Sequence, residues 1–262
     1  MAQGRPLAVV TGASTGIGYE LAKCCAENGF DLLIVADEPQ IEEAARRLKS
    51  TGAAVDALQS DLSTIEGVDK LYARIGARPV AALLANAGRG LGKGFLDQDF
   101  REARRVVDTN ITGTIYLIHK VGNDMRSIGE GKILLTGSIA GFMPGSFQAV
   151  YNGSKAFIDS FAAAIREELK DTGVTVSCLM PGATETEFFK RAGLMDTKIG
   201  QKEKDDPADV AKLGFDAMMD GTDHVIFGAK NKLQVAAASI LPSSTMAEQH
   251  RKETEPGSAS KH

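Results

Sequence analysis

Residues 7–29, "LAVVTGASTGIGYELAKCCAENG", decide the fold. The stretch begins as a short apolar β-rich run, turns at "TGASTGIG" and continues with helical character to Gly29. Gly12, Gly16 and Gly18 permit a tight turn, close approach of a phosphate to the backbone, and close helix–strand packing. The first turn of the helix offers unpaired N–H groups and a partial positive charge to an anion. A strand, a glycine turn and a helix in that order predict a dinucleotide-binding unit. Gly12, Ser14, Thr15, Gly16, Ile17 and Gly18 are its candidate cradle.

The same alternation continues outward. Strand-like runs occur in "DLLIVAD", "AAVDALQSD", "VAALLANAG", "GKILLTGS" and "VTVSCLMPG", with "DHVIFG" as a further one. Helical patterns separate them; that of residues 101–129 is expected in two pieces, and that following "VYNGSK" places Ile158, Phe161, Ile165 and Leu169 on one stripe. The strands are continuous apolar runs, as a parallel sheet covered on both faces requires. Repeated strand–helix alternation implies right-handed crossovers and an α/β, doubly wound parallel sheet of about seven strands. Ligands on such sheets bind at the carboxyl ends of the strands. The polar signals cluster there, in loops beginning at Gly12, Asp37, Asp61, Asn86, Ser138 and Pro181.

Composition narrows the function. The chain is 43% hydrophobic and 24% charged, which is ordinary for a globular protein. Residues 1–241 read as one domain and residues 242–262 as a polar tail, expected to be partly disordered. The net charge of −4, with dispersed Lys and Arg, argues against a nucleic-acid partner. The apolar run "LQVAAASIL" is about half the length a membrane span needs. Cys24, Cys25 and Cys178 form no disulfide frame, and the four histidines have no metal-ligand spacing. With no leader pattern before "RPLAVVTG", the expectation is a cytoplasmic protein without a metal.

Two further features bear on chemistry. Asp37 lies 19 residues after Gly18, at the end of the second strand, where a carboxylate accepts hydrogen bonds from ribose hydroxyls and repels a 2′-phosphate. No Lys or Arg lies in the glycine loop or at 36–38, so NAD is favoured over NADP. In "YNGSK", Tyr151 and Lys155 stand four residues apart, on one helical face. A phenol beside an ammonium is either a surface pair or an activated acid.

Taken together, these motifs resemble the short-chain dehydrogenase/reductase family in its single-domain form. The resemblance rests on "TGASTGIG", "SDL" at 60–62, "NAG" at 86–88, Asn110, Ser138, "YNGSK" and "PGATET" at 181–186, all in the family's order. It implies a Rossmann-like fold and hydride transfer between a nicotinamide and a carbonyl or secondary alcohol. Asn110, Ser138, Tyr151 and Lys155 match the catalytic tetrad. Asp61 and Leu62 would lie by the adenine, and Asn86, Ala87 and Gly88 along the cofactor cleft. Pro181, Gly182, Thr184 and Thr186 would shape the nicotinamide side; Thr184 stands where the family more often has Val or Ile.

In that setting Tyr151 would be the general acid/base, which requires its pKa to fall from about 10 toward 7. Lys155 and an oxidised nicotinamide are the cations expected to lower it, with Tyr151 and Lys155 both touching the cofactor. Ser138 would hold the substrate oxygen, and Asn110 a water beside Lys155. Between Thr186 and Pro207 lies a candidate lid (about 186–206), with Phe188, Phe189, Leu194 and Met195 over the cleft. Phe142, Met143 and Phe147 are candidates for the opposite wall, so the expected substrate is a mainly apolar small molecule. The resemblance also implies a homo-tetramer or homo-dimer through helices near 111–126 and 155–171. The competing class is a cofactor-binding sensor or scaffold without turnover.

Overall fold

The computed structural model describes residues 4–260. In chain order its first half runs β1 (Leu7–Thr11), α1 (Gly16–Glu27), β2 (Asp31–Ala36), α2 (Ile41–Leu48), β3 (Val55–Gln59), α3 (Ile65–Ile75) and β4 (Val80–Ala85). Then follow α4 (Phe100–Val107), α5 (Thr114–Ile128), β5 (Gly131–Thr136), α6 (Ala149–Leu169) and β6 (Val174–Met180). The last part holds α7 (Phe188–Arg191), α8 (Lys198–Gln201), α9 (Pro207–Asp220), β7 (His224–Ile226), α10 (Ala229–Ala238) and α11 (Ser243–Thr254).

The seven strands form one parallel sheet in the order β3-β2-β1-β4-β5-β6-β7. Growth of the sheet reverses between β3 and β4. The carboxyl ends of β1 and β4 therefore flank a crevice, the place where such sheets bind ligands. The continuous apolar runs are explained by burial on both faces. Ala8, Val10, Leu32, Ile34 and Leu84 pack under α1, α2 and α9. Their neighbours Leu7, Val9, Leu33, Val35 and Leu83 point the other way, under α3, α5 and α6.

The two-piece helix after residue 100 is joined by a π-helical turn, Asp108–Gly113. A Cβ at Gly113 would stand 1.9 Å from the Leu62 carbonyl oxygen, so only glycine lets this turn approach that loop. The turn carries Asn110 inward, where it is buried.

The tail differs from expectation. Residues 243–254 form α11 rather than a disordered segment. The sequence there is polar, but Met246 and Thr254 are buried. The Ser146 carbonyl accepts hydrogen bonds from Thr254 Oγ1 (2.7 Å) and His250 Nδ1 (3.0 Å). Glu253 pairs with Lys202, and Ala259 N–H donates to the Asp196 carbonyl at 3.1 Å. A few specific polar contacts thus dock what composition alone reads as solvated; Lys261 and His262 lie outside the described residues. No helix among the described residues is long and apolar enough to cross a membrane.

Candidate active site

A cleft of about 1050 Å³ opens at the carboxyl ends of the strands. Its floor is the glycine loop. Gly12 and Gly16 have φ of +65° and +58°, and Gly12 N–H donates to the Val35 carbonyl at 2.8 Å. An added Cβ would stand 2.1 Å from Gly12 O at Gly18, 2.8 Å from Thr186 Cγ2 at Gly16 and 2.9 Å from Ala87 Cα at Gly12. The N-terminus of α1 has no side-chain cap, so its N–H groups face the cleft unpaired. A cradle without side chains at a free helix start fits the diphosphate of a dinucleotide.

The strand ends beside the cradle are locked together. Thr11 Oγ1 accepts from the N–H groups of Asn86 and Ala87, both at 2.9 Å. Asn86 Nδ2 donates to Thr11 O at 3.1 Å, and Thr136 Oγ1 donates to Asn86 Oδ1 at 3.0 Å. Gly88, Leu62, Ser14, Thr15 and Ile17 complete this side of the lining.

At the adenosine end the structure adds charges that no local motif announces. Asp37 pairs with Arg89 (3.1 Å) and Arg105 (3.5 Å), and Arg105 also pairs with Asp61 (3.0 Å). Burial alone would raise the Asp61 carboxyl. Hydrogen bonds from the Ser63 backbone and hydroxyl, with Arg105 and Arg89 nearby, hold it below its ordinary value. The next residue, Glu38, accepts from Ser14 Oγ at 2.5 Å and from Arg191 of α7 at 2.9 Å. Cations do therefore face the second-strand acids, although none lies in the glycine loop or beside Asp37 in sequence.

Tyr151 and Lys155 share one face of α6 and line the cleft with Ser138, which leaves β5. Ser138 Oγ donates to the Pro181 carbonyl at 3.3 Å and accepts from Ala140 N–H at 3.1 Å. Burial pushes the Tyr151 phenol up to about 12; the Ser138 hydroxyl hydrogen-bonds it and favours the ionised form, while Asp159 opposes ionisation. The expected lowering by Lys155 is not seen. Its ammonium lies 6.0 Å from the Tyr151 ring centroid and donates to the Thr136 carbonyl at 2.7 Å. Burial also drives the Lys155 pKa down, against the attraction of Asp159. The protein's own groups thus leave the phenol a weak acid.

Asn110 does not line the cleft. Its Nδ2 protons go to Arg89 O and Ser154 Oγ, both at 2.9 Å, and its Oδ1 accepts from Arg89 N–H at 2.7 Å. With both donors committed, its amide pins the 88–89 loop to α6.

On the substrate side, Met143, Phe188 and Phe189 line the cleft, as do Pro181, Gly182, Thr184 and Thr186. The Phe188 ring lies 5.0 Å from that of Tyr151. Four candidates lie elsewhere. Leu194 is buried with Phe189 and Ala192 in a small cluster within the 186–206 segment, and Met195 is exposed. Phe142 is 37% exposed, and Phe147 faces Arg251 at 5.7 Å. The 186–206 segment holds two short helices, α7 and α8, and its apolar residues divide between the cleft, a buried cluster and the surface. The far wall comes instead from α10, α11 and the link between them, through Leu233, Gln234, Leu241, Met246 and His250. Gln148 was also missed. It is 4% exposed, lines the cleft and does not cap the helix with its side chain. Its position at the start of the helix that carries Tyr151 was the available signal.

The family model for short chain dehydrogenases matches residues 6–197. An uncharacterised oxidoreductase of Staphylococcus saprophyticus is 32% identical, over 81% of this chain and 90% of that one. A very-long-chain 3-oxoacyl-CoA reductase of Pyricularia oryzae is 33% identical over 66% of this chain, and the match spans 54% of that longer protein. Among solved structures, a short-chain dehydrogenase from Sphingobium yanoikuyae, in complex with NADPH, superposes with a TM-score of 0.80 at 28% identity, covering 89% of this chain and 93% of that one. A glycine cradle at the switch point of the sheet, a Tyr–Lys face beside it and these matches lead to one conclusion: the chain belongs to the short-chain dehydrogenase family and is an oxidoreductase.

Proposed function

We propose that this protein interconverts an apolar ketone and its secondary alcohol by hydride transfer with NAD, and that Tyr151 is the acid/base. One observation carries the reading: the Tyr151 phenol stands against Ser138, in a cleft shared by the glycine cradle and the Phe188 ring. In the reducing direction Tyr151 Oη donates its proton to the oxygen of the carbonyl being reduced, and Ser138 Oγ turns its one proton from the Pro181 carbonyl to hold that oxygen. In the oxidising direction the phenol must ionise first, and a bound oxidised nicotinamide supplies the positive charge that favours this. Lys155, whose ammonium donates to the Thr136 carbonyl, would hold ribose hydroxyls of a bound cofactor and add its own charge to the site. Asn110 fixes Gly88 and Arg89 against α6.

NAD is the preferred cofactor in this reading, because Asp37 and Glu38 put two carboxylates at the ribose end. Arg89 and Arg105 temper that preference. Met143, Phe188, Leu233, Leu241 and Met246 favour an apolar substrate. A 3-oxoacyl thioester is the first to assay: the Pyricularia relative is named a 3-oxoacyl-CoA reductase, and the carboxamide of Gln148, which lines the cleft with Tyr151, can donate to a second substrate oxygen. Three free thiols are consistent with a reducing cytoplasm. Exposed Phe157 on α6, with Ala163 and Ala164, supports assembly of two or four copies through that helix; a single-chain mass by light scattering would remove this part.

The test of the main reading is Tyr151→Phe, followed by nicotinamide absorbance with a ketone panel and by NADH fluorescence titration. Turnover should fall about 10²- to 10⁴-fold while NADH binding persists. A variant that turns over like the parent would remove Tyr151 from the chemistry; a parent that binds NADH but reduces nothing in the panel would favour the sensor.

A further inference from the structure

We infer that Asp159 is a positioning residue of the proton-transfer site, tying Ser138 to the helix that carries Tyr151 and Lys155 and balancing the Lys155 charge. This rests on the proposed role of Tyr151. Asp159 lies one helical turn beyond Lys155 on α6, and its Oδ1 accepts from the Ser138 N–H at 3.2 Å. The Cys178 thiol of β6 donates to the same oxygen at 3.8 Å. Oδ2 is buried and has no partner. The carboxylate occupies a slot framed by two glycines. A Cβ at Gly137 would stand 1.9 Å from Oδ1, and one at Gly141 2.1 Å from Oδ2.

An anchor for one N–H would not need a buried charge with one oxygen unsatisfied, which is costly to maintain. The charge has a clear counterpart. Lys155 is buried, and the groups that act on its ammonium to keep it protonated are Asp159 and Cys178. Burial keeps the Cys178 thiol protonated far above neutral pH, so only Asp159 is an anion there. The groups facing Asp159 itself are Lys155 on α6, Cys178 on β6 and His224 on β7. Burial raises the Asp159 carboxyl to about 6, with the Ser138 N–H, Lys155 and the other two acting against that rise.

A negative charge at this place raises the pKa of both Lys155 and Tyr151. Its loss lets both titrate at lower pH. Asp159→Asn keeps an oxygen for the Ser138 N–H and removes only the charge, so it separates the two roles. The experiment is the pH profile of kcat/KM for ketone reduction from pH 5 to 10, in the wild type, Asp159→Asn and Tyr151→Phe, with NADH affinity measured alongside.

The wild type should show an inflection near pH 6. Asp159→Asn should lack it, should lose activity on the alkaline side at lower pH than the wild type, and should have kcat reduced about tenfold or more with NADH affinity unchanged. A wild-type profile with no inflection near pH 6 overturns the inference, whether or not the variant folds. So does an Asp159→Asn profile that overlays the wild type. Failure of the underlying reading looks different, since Tyr151→Phe would then remain active.

Discussion

Replacing Asp37 by serine tests how this cleft chooses its cofactor. Asp37 pairs with Arg89 at 3.1 Å and Arg105 at 3.5 Å, and all three side chains are about one-third exposed. Serine removes the carboxylate that, in the proposed reading, accepts from the ribose hydroxyls. Hydrogen bonds to a charged group contribute about 1.5–3 kcal/mol, so NADH should bind about 10- to 100-fold more weakly. Serine also frees Arg89, while Arg105 keeps Asp61. A free guanidinium about 4 Å from a 2′-phosphate is attracted by about 1 kcal/mol in water and about 4 kcal/mol at an effective dielectric constant near 20. At this exposure the lower part of that range applies, about 1–2 kcal/mol, or a 5- to 30-fold gain for NADPH. The ratio of the two dissociation constants should move toward NADPH by about two to three orders of magnitude. Fluorescence titration of the reduced nicotinamide measures it without a substrate. A ratio changed by less than about threefold would mean that Asp37 does not reach the ribose, and the argument for NAD would fall.

Two other perturbations follow from the geometry. Gly18→Ala would force a Cβ to within 2.1 Å of the Gly12 carbonyl, so α1 must move off the cradle. Overpacking of this kind costs about 1–3 kcal/mol, and thermal unfolding should show a lower Tm together with a smaller rise on adding NADH. Asp159→Asn should change stability in a pH-dependent way. The wild-type carboxyl is raised from 3.8 to about 6 on folding, mainly by burial, so the folded state binds the proton more tightly and loses stability as pH rises from about 4 to 6. Asparagine has no such loss. The variant should gain up to about 3 kcal/mol over the wild type above pH 6 and nothing at pH 4, as read by urea unfolding at the two pH values; an equal difference at both would contradict the burial argument.

What could be read from the sequence was what depends on short spacings. The strand–turn–helix at residues 7–29 and the apolar runs predict the sheet, because β1 and β2 are buried on both faces and their composition says so. Tyr151 and Lys155 meet the cleft together because four residues are one helical turn. The cation pair at Asp37 was not legible, since Arg89 and Arg105 lie 52 and 68 residues away and their only signal is tertiary. Nor was α11, whose docking depends on Thr254 reaching a carbonyl 108 residues back. The phenol was expected to be acidified by Lys155. Spacing correctly brought the two together, but it carries no information about desolvation, which drives both groups toward their neutral forms.

The two halves of the cleft are built by different means, and this bears on what can vary. The cofactor half is made of backbone: glycines with no room for a Cβ and strand ends joined through Thr11 and Asn86. Almost any side-chain change there alters the cradle itself. The substrate half is made of side chains on α7, α8, α10 and α11, held by a handful of hydrogen bonds and partly exposed ion pairs such as Lys202–Glu253. Glu38 links the halves, taking Ser14 of the glycine loop on one side and Arg191 of α7 on the other. A ligand that displaces either partner changes the hold on both. One carboxylate thus joins α7 to the glycine loop, while the residues of the far wall are side chains that can change without touching that loop.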